Sequence, residues 1–235
     1  MFRTLRIAAL VSAVLGGAAA VAWLLVASPW LRFESLTVEG GVHANAAELR
    51  HLANLPKGTP LVQLDLDGAV AGVSRHPWVK TATARRQFPN GVLLSIVERT
   101  PVALLHTDAL YLVDDEGVAF SKALSGELDL PVLTGIGPLA ASQPEVGRRL
   151  VVEGLAWLQA AEEQGGVPLS DISELRFRED SGYVLFLRNG GEVLLGFAET
   201  ARVSRLPQLV AQGLDLSVPH RVDLVSGQLA VVTPL

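Results

Sequence analysis

The hydrophobic pattern changes character early in the chain. Residues 7–27, IAALVSAVLGGAAAVAWLLVA, carry no charge. As a helix rising 1.5 Å per residue they extend about 31 Å, enough to cross a bilayer core. From residue 33 onward, apolar positions recur at the periods of strands and amphipathic helices. FESLTVEG alternates, with Leu36 and Val38 on one face, and predicts a strand ending at Gly40-Gly41. NAAELRHLAN predicts a helix with Asn45 as cap and Glu48 at the capping-box position. Its inner stripe is Ala46, Leu49, Leu52 and Ala53. DLDGAVAGVSRHP predicts a second helix, capped by Asp65 and stopped by Pro77, with Leu66, Ala69, Val70 and Val73 inward.

RRQFPNGVLLSIVERTPVA, residues 85–103, predicts a hairpin that runs on through Pro101. Val92, Leu94 and Ile96 share a face on its second strand, and Ala82 and Ala84 share one on its first. Even positions meet even positions only across an odd-numbered loop, and Pro89-Asn90-Gly91 supplies three residues, with Gly91 at a left-handed bulge site. The expected pairs are Phe88–Val92, Arg86–Leu94, Ala84–Ile96 and Ala82–Glu98. The order strand, helix, helix, strand, strand makes a small sheet with both helices on one face.

The pattern continues after residue 104. YLVDDEGVAF is a hairpin about Asp115-Glu116-Gly117, where Asp114, Asp115 and Glu116 serve turn chemistry. EVGRRLVVEGLAWLQAAEEQGG is an amphipathic helix with Val146, Leu150, Val151, Leu155 and Leu158 inward, preceded by Pro144 and ended by Gly165-Gly166. DISELRFRED, GYVLFLRNGG and GEVLLGF predict three antiparallel strands turning at Ser181-Gly182 and Gly190-Gly191. A short helix carries Val203, Leu206, Leu209 and Val210, with Pro207 kinking or splitting it. RVDLVSGQLAVVTPL closes the chain as a strand, a turn at Ser226-Gly227 and a last strand over residues 228–233. The whole is α+β: one N-terminal span, a β-α-α-β-β domain, and a mixed antiparallel β-domain with flanking helices.

Charge gives the span a direction. Arg3 and Arg6 precede it, which keeps residues 1–6 in the cytoplasm and sends the rest outside. Ile7 and Ala27 bound the span. Trp23 and Trp30 fall near its outer end, and Gly16, Gly17 and Ala20 permit either a close helix contact or plain lipid packing. A cleaved signal peptide is the rival, but the apolar run continues past AAAVA through WLLVA. The net charge of −5 gives no broad reason to bind nucleic acid, and the absence of cysteine removes thiol chemistry and disulfides.

Candidate chemistry is sparse. His43, His51, His76, His106 and His220 show no ligand spacing, which points to surface or capping roles. GIGPLA, residues 135–140, matches a dinucleotide fingerprint, but Pro138 and ASQPE are read as a loop with no βαβ unit after it. Arg85 and Arg86 alternate across a strand and are read as a solvated strand end, with Glu98 nearby, in place of a phosphate site. No catalytic, cofactor, metal or small-molecule site emerges. What remains is the sheet edge. Leu229, Ala230, Val231 and Val232 carry no charge, so at an edge they form an open template; covered by their own domain they are a plain closing strand.

HPWVKTATARRQFPNGVLLSIVERTPVA, residues 76–103, resembles the FtsQ/DivIB family of cell-division proteins. The likeness lies in its Pro-Trp-Val start, the Arg before an aromatic-Pro turn, and the Glu-Arg-x-Pro-hydrophobic exit. LPVLTG, the ISEL strand and the late VDL strand extend it over nearly the whole chain. The resemblance implies residues 1–6 as cytoplasmic tail, 7–27 as span, 33–104 as a POTRA domain and 105–235 as the β-domain. It implies a non-enzymatic scaffold of the inner membrane, concentrated at the division septum. FtsB/FtsL-like bitopic coiled-coil proteins would dock on Leu229, Ala230, Val231 and Val232, with Arg202 and Arg205 as weaker contacts. Other division proteins would meet the POTRA domain and the span. Val225 departs from the family, where an arginine at this place can pair with an acidic partner. The cytoplasmic tail is also short for docking. The rivals are a POTRA-bearing component of outer-membrane protein assembly or secretion, and a periplasmic cell-wall hydrolase with unplaced carboxylates.

Overall fold

A computed structural model describes residues 12–17, 29–124, 129–197, 199–225 and 231–234. Residues 12–17 are helical and include Gly16 and Gly17, neither of which has an atom near where a Cβ would stand. Ile7, Ala20, Trp23 and Ala27 lie outside the described residues, as do Leu229 and Ala230. No helix among the described residues is long and apolar enough to cross a membrane. The chain divides into two units, Met1–Arg99 and Thr100–Leu235.

In the first unit, β1 (Ser35–Glu39), α1 (Ala46–Ala53), α2 (Leu66–Val73), β2 (Val79–Gln87) and β3 (Gly91–Glu98) follow in the expected order. The sheet runs β1-β3-β2, with β1 parallel and β2 antiparallel to β3. Strand positions Leu36, Val38, Ala82, Ala84, Leu94 and Ile96 pack with helix residues Leu49, Ala53, Ala69 and Val73. Asn45 caps α1 by accepting from the Ala47 amide at 2.8 Å, and Asp65 caps α2 by accepting from Gly68 at 2.8 Å. Glu48 stands 3.6 Å from Nε2 of the buried His76.

The β2–β3 hairpin differs from its expected register. Arg86 faces Val92, Ala84 faces Leu94 and Ala82 faces Ile96, so the loop is Phe88-Pro89-Asn90. The odd loop and the even-to-even facing hold, but every pair moves by two residues. A shift of two leaves each side chain on its own face, so hydrophobic pattern cannot detect it. Contacts from the residue just before β1 fix it: Glu34 N donates to Asn90 O and Asn90 Nδ2 to Glu34 Oε2, both at 2.9 Å. Gly91 is therefore a strand residue paired with Ser35 and Gln87, not a left-handed bulge. Arg86 is also no solvated strand end beside Glu98. It donates to the carbonyls of Leu61 at 2.7 Å and Leu64 at 2.8 Å. Glu98, at the far end of β3, accepts from the amides of Val42, His43 and Ala44 at 2.7–3.1 Å and lies 3.0 Å from His43 Nδ1.

The described residues of the second unit form a nine-stranded mixed sheet with helices packed against it. Its strands are β4 (Pro101–His106), β5 (Leu110–Asp114), β6 (Ala119–Lys122), β7 (Val132–Thr134), β8 (Ile172–Arg178), β9 (Gly182–Leu187), β10 (Glu192–Gly196), β11 (His220–Asp223) and β12 (Val231–Pro234). The order is β12-β11-β10-β9-β8-β7-β4-β5-β6. Pairs β4–β7, β7–β8 and β10–β11 are parallel and the others antiparallel. The buried Asp114 accepts from Glu116 and Val118 amides, the expected turn chemistry.

The segment around GIGPLA corrects the sequence expectation. α3 (Gly137–Ser142) and α4 (Pro144–Glu163) connect β7 to the parallel strand β8, a βαβ crossover. Pro138 lies in the first turn of α3, where a missing N–H costs nothing, so it starts a helix and does not prevent one, as Pro144 does for α4. The glycines serve close backbone contacts. A Cβ on Gly135 would stand 2.0 Å from Phe177 O, and one on Gly137 3.1 Å from Thr107 Cα. α4 buries Leu150, Val151 and Leu158 as expected, and also Trp157, which the stripe omitted. Tyr183 donates its hydroxyl to Leu150 O at 2.6 Å, tying sheet to helix. Pro207 splits its helix as expected, into a 3-10 turn (Thr200–Arg205) and α5 (Leu206–Ala211).

Candidate interaction edge of the large sheet

Among the described residues β12 is the outermost strand of the large sheet, pairing with β11. Its residues Val231, Val232, Thr233 and Pro234 carry no charge. Its register places Val232 opposite Val222. That pair ends a cross-strand row that can be followed through the unit. Leu105 faces Leu133, then Leu175, Leu185, Val193, Val222 and finally Val232. Every member as far as Val222 is buried, with Val222 itself only 1% exposed, whereas Val232 is 40% exposed. The core row thus runs out to β12, where the exposed Val232 is its last member among the described residues. Cross-strand apolar neighbours stabilise a sheet pair by roughly 0.2–1 kcal/mol each, and among the described residues Val232 has such a neighbour on one side, Val222.

Val231 and Val232 stand on this edge; Leu229 and Ala230 lie outside the described residues. Arg202 and Arg205 are engaged within the fold at the ends of β10 and β11. Arg202 donates Nη1 to Leu195 O at 3.2 Å and pairs with Glu199 at 2.7 Å. Arg205 donates Nη1 to Leu224 O at 3.3 Å. These bonds clamp the ends of β10 and β11. The two arginines, Glu199, Thr200 and Ala201 line a shallow recess of about 380 Å³. Val225 lies past the end of β11 and is half exposed; its amide donates to Asp223 Oδ1 at 2.8 Å. A Cβ on Gly196 would meet Val225 Cγ2 at 2.9 Å, which places Val225 directly against the end of β10.

Sequence reasoning missed the half-exposed Phe197, which stands edge-on to Phe177 with ring centroids 6.4 Å apart. A single aromatic at a strand end has no periodic signal. Among the described residues no three His, Asp or Glu side chains are grouped to hold a metal ion. The geometry offers backbone and apolar surface along one edge, suited to accepting another strand.

Two family matches and several relatives place this architecture. Residues 31–99 match the POTRA domain, FtsQ-type, and residues 103–224 match the cell division protein FtsQ/DivIB, C-terminal domain. Cell division protein FtsQ of Anaeromyxobacter sp. (strain K) is 37% identical over 231 residues, covering 93% of this chain and 79% of that protein. The protein of the same name from Myxococcus fulvus is 34% identical over 216 residues, covering 88% and 75%. That from Streptomyces collinus is 32% identical over 225 residues, covering 91% and 84%. With both units matched in order and more than half of the chain inside the C-terminal match alone, the chain belongs to the FtsQ/DivIB family of cell-division proteins.

Proposed function

We propose that this chain is a non-enzymatic scaffold of the bacterial division machinery that takes up a strand from a partner along β12. Residues 7–27 anchor it in the cytoplasmic membrane, with both folded units outside the cytoplasm and the protein concentrated at the septum. The partner is an FtsB/FtsL-like bitopic coiled-coil protein, and Val231 and Val232 are the residues its backbone meets, with Leu229 and Ala230 continuing the strand. The observation that supports this most is the buried cross-strand row that ends on the exposed Val232. A strand laid beside β12 adds ladder hydrogen bonds and covers that last apolar place. Arg202 and Arg205 act through their hold on β10 and β11, and Val225 offers an apolar contact where a charge pair is not available.

Neighbouring residues on a strand aim their N–H groups to opposite sides, so proline substitutions at Val231 and Val232 remove donors on opposite flanks. One flank faces β11 and the other the open edge. Full-length wild type, Val231→Pro and Val232→Pro are compared by thermal melting and by capture of the coiled-coil partner from membranes. The expected result is that one of the two variants keeps the wild-type melting temperature and loses capture. Undiminished capture by both folded variants removes edge docking at this strand. A fluorescent fusion that spreads evenly around the envelope removes the septal role.

A further inference from the structure

A second exposed apolar surface lies at the end of the first unit where the chain enters it. Three segments are tied together there. Phe33 N donates to Thr59 O and Gly58 N to Phe33 O, each at 2.8 Å. Glu34 and Asn90 exchange the two bonds described above, and Arg86 grips the carbonyls of Leu61 and Leu64. Each segment nevertheless turns a large apolar side chain into solvent: Trp30 is 82% exposed, Val62 49% and Phe88 65%. Large apolar side chains held this far in water at one tip form the kind of exposed apolar surface that marks a membrane or partner contact.

The length of the preceding chain indicates which environment. Pro29, where the described chain of this unit begins, is the second residue after Ala27. Two extended residues reach at most about 7 Å. That is about the thickness of one headgroup layer, given a core of about 30 Å in a bilayer of about 40–45 Å. Aromatic side chains favour that layer, where an apolar body and a wet rim are both satisfied. Arg32 and Lys57 flank the tip in sequence, and Arg32 is steadied by donating to Gly58 O at 2.8 Å. We propose that the tip formed by Trp30, Val62 and the Phe88-Pro89-Asn90 turn beds into the outer headgroup layer of the bilayer. The inference rests on the reading that residues 7–27 cross that bilayer. The tip is then a second membrane contact that restrains the tilt of the first unit, where a span alone leaves it to swivel.

The chain has no cysteine, so single labels are clean. Full-length Val62→Cys, Phe88→Cys and, as control, Val97→Cys at the opposite end of β3 carry a nitroxide label. They are reconstituted into vesicles of phosphatidylethanolamine and phosphatidylglycerol. Accessibility to oxygen and to a water-soluble nickel chelate is read by electron paramagnetic resonance, and the same vesicles are extracted with alkaline carbonate. The expected result is a several-fold higher oxygen-to-nickel ratio at positions 62 and 88 than at 97, in protein that carbonate does not release. Retained protein with equal ratios at all three positions overturns the tip contact and leaves the span intact. Release by carbonate overturns the span, and the tip contact with it. Shielding absent in pure lipid but present in native membranes overturns the lipid reading and assigns the tip to a protein partner.

Discussion

Glu98 shows how much one side chain can organise. Burial by itself raises its pKa, but hydrogen bonds from the amides of Ala44, His43 and Val42 and from the His43 ring outweigh this and hold it below the usual carboxylate value. A depressed folded value contributes stability that is present above the unfolded pKa, about 4.3, and is lost as pH falls through the folded value. Residues 42–44 have no strand or helix ladder to satisfy their amides, so the carboxylate replaces one. The stacking of His43 on Trp78, with centroids 4.1 Å apart, depends on the same anchorage. Glu98→Gln keeps one acceptor oxygen and loses the charge. It is expected to destabilise the first unit by about 1–2 kcal/mol at pH 7. It is also expected to flatten the fall in stability below about pH 4. Chemical denaturation of both proteins at pH 7, 4 and 3 measures this; parallel pH curves would show that the Glu98 shift adds nothing to the pH dependence, and coincident curves that the carboxylate contributes nothing at all.

At the level of elements, sequence pattern revealed the strands and helices well but was blind to what only tertiary contact sets. The even-numbered face of β2 and β3 was legible because period two is a local property. The two-residue register shift was not, because it preserves that face, and Glu34 and Asn90, which fix it, lie 56 positions apart. The β7–α3–α4–β8 crossover was lost because Pro138, read as part of a loop, in fact starts a helix, and because no local pattern reveals that β7 and β8 pair in parallel. The terminal strand was legible as an uncharged run, whereas its place at the edge needed the whole strand order. Arg202 and Arg205 stood out as cations, but their grip on Leu195 and Leu224 carbonyls joins elements that no local pattern connects. This grip leads to a prediction for the β10–β11 end. Arg205→Ala should cost roughly 1 kcal/mol locally. Amide exchange at Val222 and Leu224 should quicken while Leu175 and Leu185 stay protected, and partner capture should weaken in step. Capture lost with unchanged exchange would make Arg205 a direct contact and not a clamp.

For the whole molecule, the arrangement of buried side chains matters most. Each unit has buried clusters of its own: those of the first draw on residues up to Ile96, and that of the second begins at Ala103. Each unit thus has the means to unfold as its own cooperative block. Under the proposed function we assign the two units different tasks: the N-terminal unit serves placement at the membrane and the C-terminal unit offers the sheet edge. Leu94 and Leu185 are both fully buried, one in each core, and truncating such a side chain to alanine costs about 2–5 kcal/mol. Leu94→Ala should lower one calorimetric transition of the full-length protein and leave the other in place; Leu185→Ala should do the reverse. If placement and docking are divided as proposed, Leu94→Ala at a temperature between the two transitions loses septal focus but still captures the coiled-coil partner. Leu185→Ala reaches the septum without it. A single transition that both substitutions lower equally would join the two cores into one folding block and withdraw the division of labour.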